Sequence, residues 1–112
     1  MQQFKNAKTY EEGIENLIDA AVKDFQGWTS KFTDQKTFEE VRNKYRVEDN
    51  RKYTKILYQN GAWGFVQKQD DKRFKKGDLL KPAGYNAPAR NYSRGNIFTG
   101  GVVNWTGPLY MN

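Results

Sequence analysis

YTKILYQNGAWGFV, residues 53–66, is the stretch that decides the fold. It is rich in β-branched and aromatic residues on both sides of Asn60-Gly61, the dipeptide most typical of a tight hairpin turn. A two-residue turn there sets the register of two strands, and it gathers apolar side chains on one face that we expect to pack on a helix. The pairs predicted for that face are Tyr58 with Trp63, Ile56 with Phe65, and Thr54 with Gln67.

The opposite face of the predicted hairpin is mixed in character. Because a lysine stands on each strand, this face is compatible with contact with solvent. Its predicted pairs are Leu57 with Gly64, Lys55 with Val66, and Tyr53 with Lys68.

Two helix starts precede the hairpin. Thr9 and Thr37 are each followed three residues later by a glutamate, which is the pattern of a capping box. The first start predicts a helix over about residues 10–26 that ends at Gly27, and the second predicts a shorter helix that ends near Arg46. The apolar stripe of the first helix is Tyr10, Ile14, Leu17, Ile18, Ala21, Val22, Phe25 and Trp28, and that of the second is Phe38, Val41 and Tyr45.

Short strands and turns are predicted after the hairpin. Phe74–Lys81 is typical of a turn that enters a short strand, and two more strands are expected at Asn96–Thr99 and Val102–Trp105. The segment Thr106–Tyr110 contains a proline, which suits a sheet edge. The expected fold class is therefore α+β: a single domain over residues 1–112, with two N-terminal helices packed on a small antiparallel β-sheet of four to five strands.

Charge is divided unevenly along the chain. Residues 1–50, the acidic helical half, carry eight Lys or Arg and ten Asp or Glu, a net of −2. Residues 51–112, the basic β half, carry eleven Lys or Arg and three Asp, a net of +8, and the 34 residues after Asp78 contain no carboxylate. This excess favours an anionic partner such as a nucleic acid, a nucleotide or an acidic protein surface. A basic protein kept soluble by its charge is the alternative.

The composition leaves few groups for catalysis. The chain has no cysteine and no histidine, which excludes disulfides, thiolate nucleophiles, imidazole metal ligands and Ser-His-Asp arrangements. Four glutamates lie in the first turns of the predicted helices, where capping accounts for them, and three aspartates lack the spacing of a calcium loop. We therefore expect no enzymatic activity, no cofactor and no metal site. These carboxylates are Glu11, Glu12, Glu39, Glu40, Asp70, Asp71 and Asp78.

Residues 81–96, KPAGYNAPARNYSRGN, form a long basic loop after the hairpin. Together with the preceding turn they interleave cations, which neutralise phosphates, with tyrosines, which stack on bases; this combination is typical of sequence-tolerant single-strand binding. The same residue types also form protein interfaces. Ser93–Asn96 is compatible with a phosphate-binding nest, and a plain turn explains it as well. The candidate binding residues are Lys68, Arg73, Lys75, Lys76, Lys81, Tyr85, Arg90, Tyr92 and Arg94.

Five short runs mark the basic half: NGAWGFV, FKKGDLLKPA, APARN, RGNIF and WTGPLY. In this combination, over about residues 53–110, the chain resembles small, functionally uncharacterised proteins of tailed bacteriophages. The resemblance carries over no functional residue. It implies expression in an infected bacterium, either as an accessory factor that acts on host machinery or as a minor virion component.

The sequence thus predicts a non-enzymatic binding protein whose basic face contacts nucleic-acid phosphates. The alternative is a phage accessory protein that binds and inhibits or redirects an acidic host protein, or a minor virion component. No apolar stretch reaches the roughly 18–20 residues of a membrane helix, and the first residues lack the apolar region of a secretory signal. We therefore expect no membrane partner and a cytoplasmic location, in the infected host if the protein is phage-encoded.

Overall fold

The structure is a computed structural model that describes residues 2–28, 35–90 and 92–108. These residues contain two helices and seven strands. In chain order they are β1 (Gln2–Phe4), α1 (Tyr10–Trp28), α2 (Gln35–Arg42), β2 (Tyr45–Asp49), β3 (Tyr53–Tyr58), β4 (Gly61–Gln67), β5 (Leu79–Leu80), β6 (Gly101–Asn104) and β7 (Gly107–Pro108).

The strands form two antiparallel sheets, one with the order β1-β6-β7 and one with the order β2-β3-β4-β5. The α+β class is confirmed, but two sheets of three and four strands replace the single sheet that the sequence predicted. The difference comes from β1, which precedes both helices and pairs with β6 near the other end of the chain. A strand of three residues has no periodicity of its own, so only its distant partner defines it.

The hairpin of β3 and β4 turns one residue earlier than predicted. Gln59 and Asn60 occupy the turn, and Tyr58 pairs with Gly61. Gln59 adopts a left-handed φ of 53°, a conformation that Asn and Gly adopt more readily than Gln. The register predicted from an Asn60-Gly61 turn is therefore wrong.

A β-bulge at Trp63 sets the rest of the register. Leu57 pairs with Ala62 and Ile56 with Gly64, which leaves Trp63 as the extra residue on β4. Beyond the bulge, side chains on β4 exchange faces relative to the prediction. Trp63 still joins the main core, but Phe65 moves to the opposite face of the sheet.

The main hydrophobic core lies between α1 and the two sheets, and it draws on both the acidic and the basic half of the chain. The predicted stripe of α1 is largely buried in this core, and the side chain of Trp28 lies outside the described residues. The helix continues through Gly27, so the predicted end at this glycine is wrong. The buried members of the core are Phe4, Ile14, Leu17, Ile18, Ala20, Ala21, Val22, Val41, Tyr45, Ile56, Trp63, Val66, Leu79, Ile97 and Val103.

The first turn of α1 is capped and anchored by side chains. Thr9 Oγ1 accepts a hydrogen bond from the N–H of Glu12 at 3.2 Å, as the capping-box pattern predicts. The hydroxyl of Tyr10 lies 2.7 Å from Thr54 Oγ1 and 3.2 Å from the carbonyl oxygen of Val66. Burial raises the pKa of Tyr10 to about 12. These contacts fasten α1 to the four-stranded sheet.

The second helix ends earlier than predicted, at Arg42 instead of near Arg46. Tyr45 opens β2, where it pairs with Tyr58 at a ring-centroid distance of 4.7 Å. Pairing with β3 gives this segment backbone hydrogen bonds and an aromatic neighbour, so tertiary contact overrides the helical pattern. The side chain of Thr37, the predicted cap, lies outside the described residues.

The indole of Trp63 joins the two sheets. Its Nε1 donates to the carbonyl oxygens of Asn104 and Trp105, at 3.2 and 3.1 Å. The hydroxyl of Tyr45 donates to the Trp105 carbonyl at 2.9 Å, and the Trp105 N–H donates to the buried carboxylate of Asp24 at 3.0 Å. The turn between β6 and β7 is therefore held by α1, β2 and β4 at once.

The C-terminal strands agree with the sequence only in part. The predicted strand at Asn96–Thr99 is wrong, because residues 97–99 form a turn closed by a bridge between Asn96 and Gly100. The short strand predicted within Phe74–Lys81 is confirmed as β5, and the edge position of Pro108 is confirmed as well. Leu109 and Tyr110 lie outside the described residues. In the described part of the chain, neither helix combines the length and the apolar character needed to cross a membrane.

The hydrogen bonds of Trp63 and Tyr45 to the turn between β6 and β7 form a bridge between the sheets. Their removal should lower the free energy of unfolding by different amounts. Tyr45→Phe removes one hydroxyl donor and should lower the free energy of unfolding by about 1 kcal/mol. Trp63→Phe removes the donor to two carbonyls and leaves unfilled space, so it should cost about 2–3 kcal/mol. Urea unfolding measures both. Tyr58→Phe is the control, because its hydroxyl makes no hydrogen bond within the described residues; a loss equal to that of Tyr45→Phe would contradict the bridge.

Candidate functional site

Asp71 organises the start of the loop that follows β4. Its Oδ1 accepts hydrogen bonds from the N–H groups of Arg73 and Phe74, each at 2.8 Å. Its Oδ2 accepts from Gln67 Nε2 at 2.9 Å and from the guanidinium of Arg90 at 2.6 Å. These bonds favour the ionised form, and they hold the pKa of Asp71 well below its usual range, with the two backbone N–H groups as the leading cause. Asp71 is thus a structural carboxylate.

Asp70 and Asp78 hold the backbone beneath two exposed lysines. The N–H of Lys76 donates to Asp70 Oδ1 at 2.8 Å, and the N–H of Lys75 donates to Asp78 Oδ2 at 2.9 Å. The other oxygen of Asp78 accepts from Asn96 Nδ2 at 2.9 Å. The lysine side chains therefore project into solvent from a fixed stretch of backbone. Among the residues that the structure describes, no three carboxylates are grouped so that they could hold a metal ion.

Lys75 and Lys76 line an open groove of about 560 Å³, and three hydroxyl or amide side chains face it from the far end of the long loop. The carboxylates of Asp70 and Asp78 balance these two lysines within the groove, so the positive excess comes from the exposed Lys72 and Arg73 in the same loop. We call the groove and residues 72–76 the basic groove. The residues that line the groove are Asp70, Lys75, Lys76, Asp78, Ser93, Gly95, Asn96, Phe98 and Thr99.

Residues 93–96 extend the four-stranded sheet beyond β5 and form no phosphate nest. The N–H of Leu79 donates to the carbonyl of Gly95 at 2.9 Å, and the N–H of Arg94 donates to the carbonyl of Leu79 at 2.7 Å. The N–H of Asn96 donates to Gly100 at 3.3 Å. Because a nest needs free, convergent N–H groups, and those of Arg94 and Asn96 are already bonded, the structure favours neither the nest nor a plain turn for this segment.

Three of the nine candidate residues are tied into the fold. Lys68 Nζ lies 3.3 Å from the carboxylate of Asp49. Arg90 pairs with Asp71 and packs over the ring of Phe74 at 4.8 Å. Arg94 is buried. Each of these cations already has a structural role, which the charge count along the sequence does not reveal.

The other six candidates lie at or near the surface. Arg73, Lys75 and Lys76 are exposed together in the basic groove, and Lys81 is half-buried. Tyr85 and Tyr92 are among the most exposed large side chains of the described residues, at 49% and 50%. The structure thus brings three predicted cations to one place and leaves two tyrosines exposed on the long loop.

The long loop covers the face of the sheet that the sequence left open to solvent. Lys55, predicted on that face, is only 1% exposed. Its Nζ lies 3.1 Å from Asn86 Oδ1 and 3.5 Å from the ring centroid of Tyr85. Beside it, Phe65 packs with Phe74 and Leu80 in a second, smaller core. The sequence carries one sign of this burial, because Lys55 is followed directly by Ile56 and Leu57 in a central strand.

The loop also supports itself. The N–H of Ala83 donates to the carbonyl of Ala87 at 2.9 Å, and the N–H of Ala89 donates to the carbonyl of Lys81 at 2.7 Å. Pro82 and Pro88 face each other across this small closed turn. A loop that satisfies its own backbone groups can keep Tyr85 above Lys55 in a defined position.

The model of a family of unknown function, DUF7717, matches residues 1–111. The chain belongs to DUF7717. No curated protein and no solved structure matches it. In this member of DUF7717, the basic groove and the long loop are the features that bear on function.

The hydrogen bonds of Asp71 predict a specific acid sensitivity. Because the pKa of Asp71 is lower in the folded state than the ordinary value of about 3.9, its contribution to stability is complete above that value and is lost as the pH falls toward the folded pKa. Asp71→Asn removes this titration, so the free energy of unfolding of the variant should fall less steeply than that of the wild type below about pH 4.

Urea unfolding at a series of pH values measures this difference. Glu48→Gln, which removes the same charge from an exposed position on β2, is the control. Parallel curves for the wild type and Asp71→Asn would contradict the assignment of Asp71 as the organiser of the loop.

Proposed function

We propose that the chain is a non-enzymatic binding protein whose basic groove contacts the phosphate backbone of a nucleic acid. The observation that carries the proposal is the cluster of exposed cations at residues 72–76, in which Lys75 and Lys76 stand on backbone held by two aspartates. Cations on fixed backbone lose less freedom when they bind than cations on a mobile tail, so more of the electrostatic attraction is retained as affinity.

The uncharged side chains of the groove also suit phosphate. Ser93 and Thr99 line it together with the two lysines. The amide of Asn96 also lines the groove, but it already donates to the carbonyl of Lys76 and to the carboxylate of Asp78. Hydroxyl groups of this kind commonly donate to phosphate oxygens and position a nucleic acid without reading its sequence. The groove thus offers both charge and hydrogen-bond donors, which favours binding that tolerates many sequences.

The number of exposed cations sets the expected salt dependence. Lys72, Arg73, Lys75 and Lys76 are exposed in one short loop. If each neutralises one phosphate, the logarithm of the binding constant should fall against the logarithm of salt concentration with a slope of roughly −2.8 on single strands and −3.6 on duplex.

The proposal includes the setting that the resemblance to tailed-phage proteins implies. The protein would be made in an infected bacterium and would meet nucleic acid in the cytoplasm. An accessory role at host machinery or a minor place in the virion are both compatible with phosphate binding.

Removal of the two central lysines tests the proposal. Lys75→Gln with Lys76→Gln should weaken binding and reduce the magnitude of the salt slope by roughly 1.4–1.8, because two phosphate contacts are lost. Fluorescence anisotropy of a labelled random-sequence oligonucleotide, titrated at several salt concentrations, measures both quantities. The matched control, Lys23→Gln with Lys44→Gln, removes the same charge from exposed positions outside the groove. No binding even at low salt, or an equal loss in the control, would overturn the proposal.

A pull-down from bacterial lysate separates nucleic acid from an acidic protein as the partner. Lysate treated with nuclease and untreated lysate are passed over the immobilised chain. Nucleic acid that is retained only on the intact basic groove, and lost with Lys75→Gln and Lys76→Gln, supports the proposal. A protein retained equally after nuclease treatment, and released by the same substitutions, supports the acidic-protein alternative instead.

A further inference from the structure

Two tyrosines of the long loop share an unusual arrangement. Tyr85 and Tyr92 are 49% and 50% exposed, and each ring lies against a cation that is buried. Lys55 Nζ lies 3.5 Å from the centroid of the Tyr85 ring, and Arg94 Cζ lies 4.9 Å from that of Tyr92. The exposed fractions of Lys55 and Arg94 are only 1% and 4%. The same pair, a buried cation and a half-exposed ring, thus occurs twice.

Each ring shields its cation and still remains half exposed. A buried cation is costly unless polar or aromatic groups surround it, and the ring of Tyr85 with the amide oxygen of Asn86 provides such groups for Lys55. A ring that covers a cation uses one face for the contact and leaves the opposite face open to a further partner. Here about half of each side chain remains in solvent.

The cation prepares the ring for a flat partner in two ways. Attraction between the cation and the ring face holds the side chain in one orientation, so little freedom is left to lose on binding. The positive charge also draws electron density toward the buried face, which makes the ring a better stacking partner for an electron-rich surface. Nucleobases have such surfaces, and they stack on aromatic side chains whatever their sequence.

The location of Tyr92 connects the rings to the basic groove. Tyr92 directly precedes Ser93, which lines the groove with Lys75 and Lys76. Tyr92 is thus one residue from the groove lining along the chain, and Tyr85 lies on the same loop, so a strand held by both the lysines and the rings would run along this loop. In a duplex the bases stack on one another and their faces are not available, so this arrangement selects single strands.

We propose that the protein binds single-stranded nucleic acid, with bases stacked on Tyr85 and Tyr92 and phosphates on the basic groove. This inference rests on the proposed function and adds the kind of strand and the residues that hold its bases. Each stacked base should strengthen binding by about 5- to 150-fold. The selectivity is for exposed base faces and is independent of base sequence.

The test compares three ligands of matched phosphate number: a single-stranded oligonucleotide, the same strand with abasic sites, and a duplex. The wild type should bind the intact strand at least about 5-fold more tightly than the abasic strand. Tyr92→Leu and Tyr85→Leu should each weaken binding of the intact strand and leave binding of the abasic strand unchanged. Tyr92→Phe and Tyr85→Phe keep the ring and should bind as the wild type does.

Each result distinguishes this inference from the proposed function. Equal affinity for intact and abasic strands, with the salt dependence retained, would overturn the stacking of bases and leave phosphate binding in place. Failure to bind any of the three ligands would overturn both. Thermal unfolding identifies a leucine variant that no longer folds; in that case, photo-crosslinking of a bromouracil-containing strand to the wild type decides, because crosslinks at Tyr85 or Tyr92 support the inference and crosslinks only elsewhere contradict it.

Discussion

The fold depends on the hydrogen bonds that the Trp63 indole donates to the turn between β6 and β7. An indole N–H must find an acceptor when its ring is buried, and the bulge on β4 turns this ring toward the carbonyls of Asn104 and Trp105. This contact fixes the three-stranded sheet against the four-stranded sheet. Thr99, which lines the basic groove, lies two residues before β6 of that sheet.

Local sequence patterns predicted the elements that are defined by contacts between residues close in sequence. The stripe of α1 and the existence of the hairpin both follow from residue spacing, since neighbours in sequence meet in space. The register of the hairpin does not follow from residue spacing. The bulge at Trp63 directs the indole to carbonyl acceptors some forty residues later in the chain. The prediction that Tyr45 is helical is wrong for the same reason. Pairing with β3 and a hydrogen bond to the carbonyl of Trp105 place this residue in a strand. Tertiary partners decided what propensity left open.

The candidate site shows the same division. The positive charge of the basic half is a property of composition, and the sequence reveals it directly. Which cations remain at the surface is a property of pairing: Arg90 is held by Asp71 and Lys68 by Asp49, across separations that no motif marks. Asp70 and Asp78, whose spacing excluded only a calcium loop, hold the backbone under Lys75 and Lys76. Charge is visible in a sequence, whereas its neutralisation requires the fold.

Burial of Lys55 beneath Tyr85 links two positions that are thirty residues apart. A chain of the same family with an apolar residue at position 55 would have no charge to shield there. An aromatic residue at position 85 would then no longer be needed for shielding. Conversely, loss of the ring at position 85 would expose the Lys55 ammonium group to water and remove a contact that holds the loop on the sheet. The two sites are thus expected to change together in evolution, as one unit.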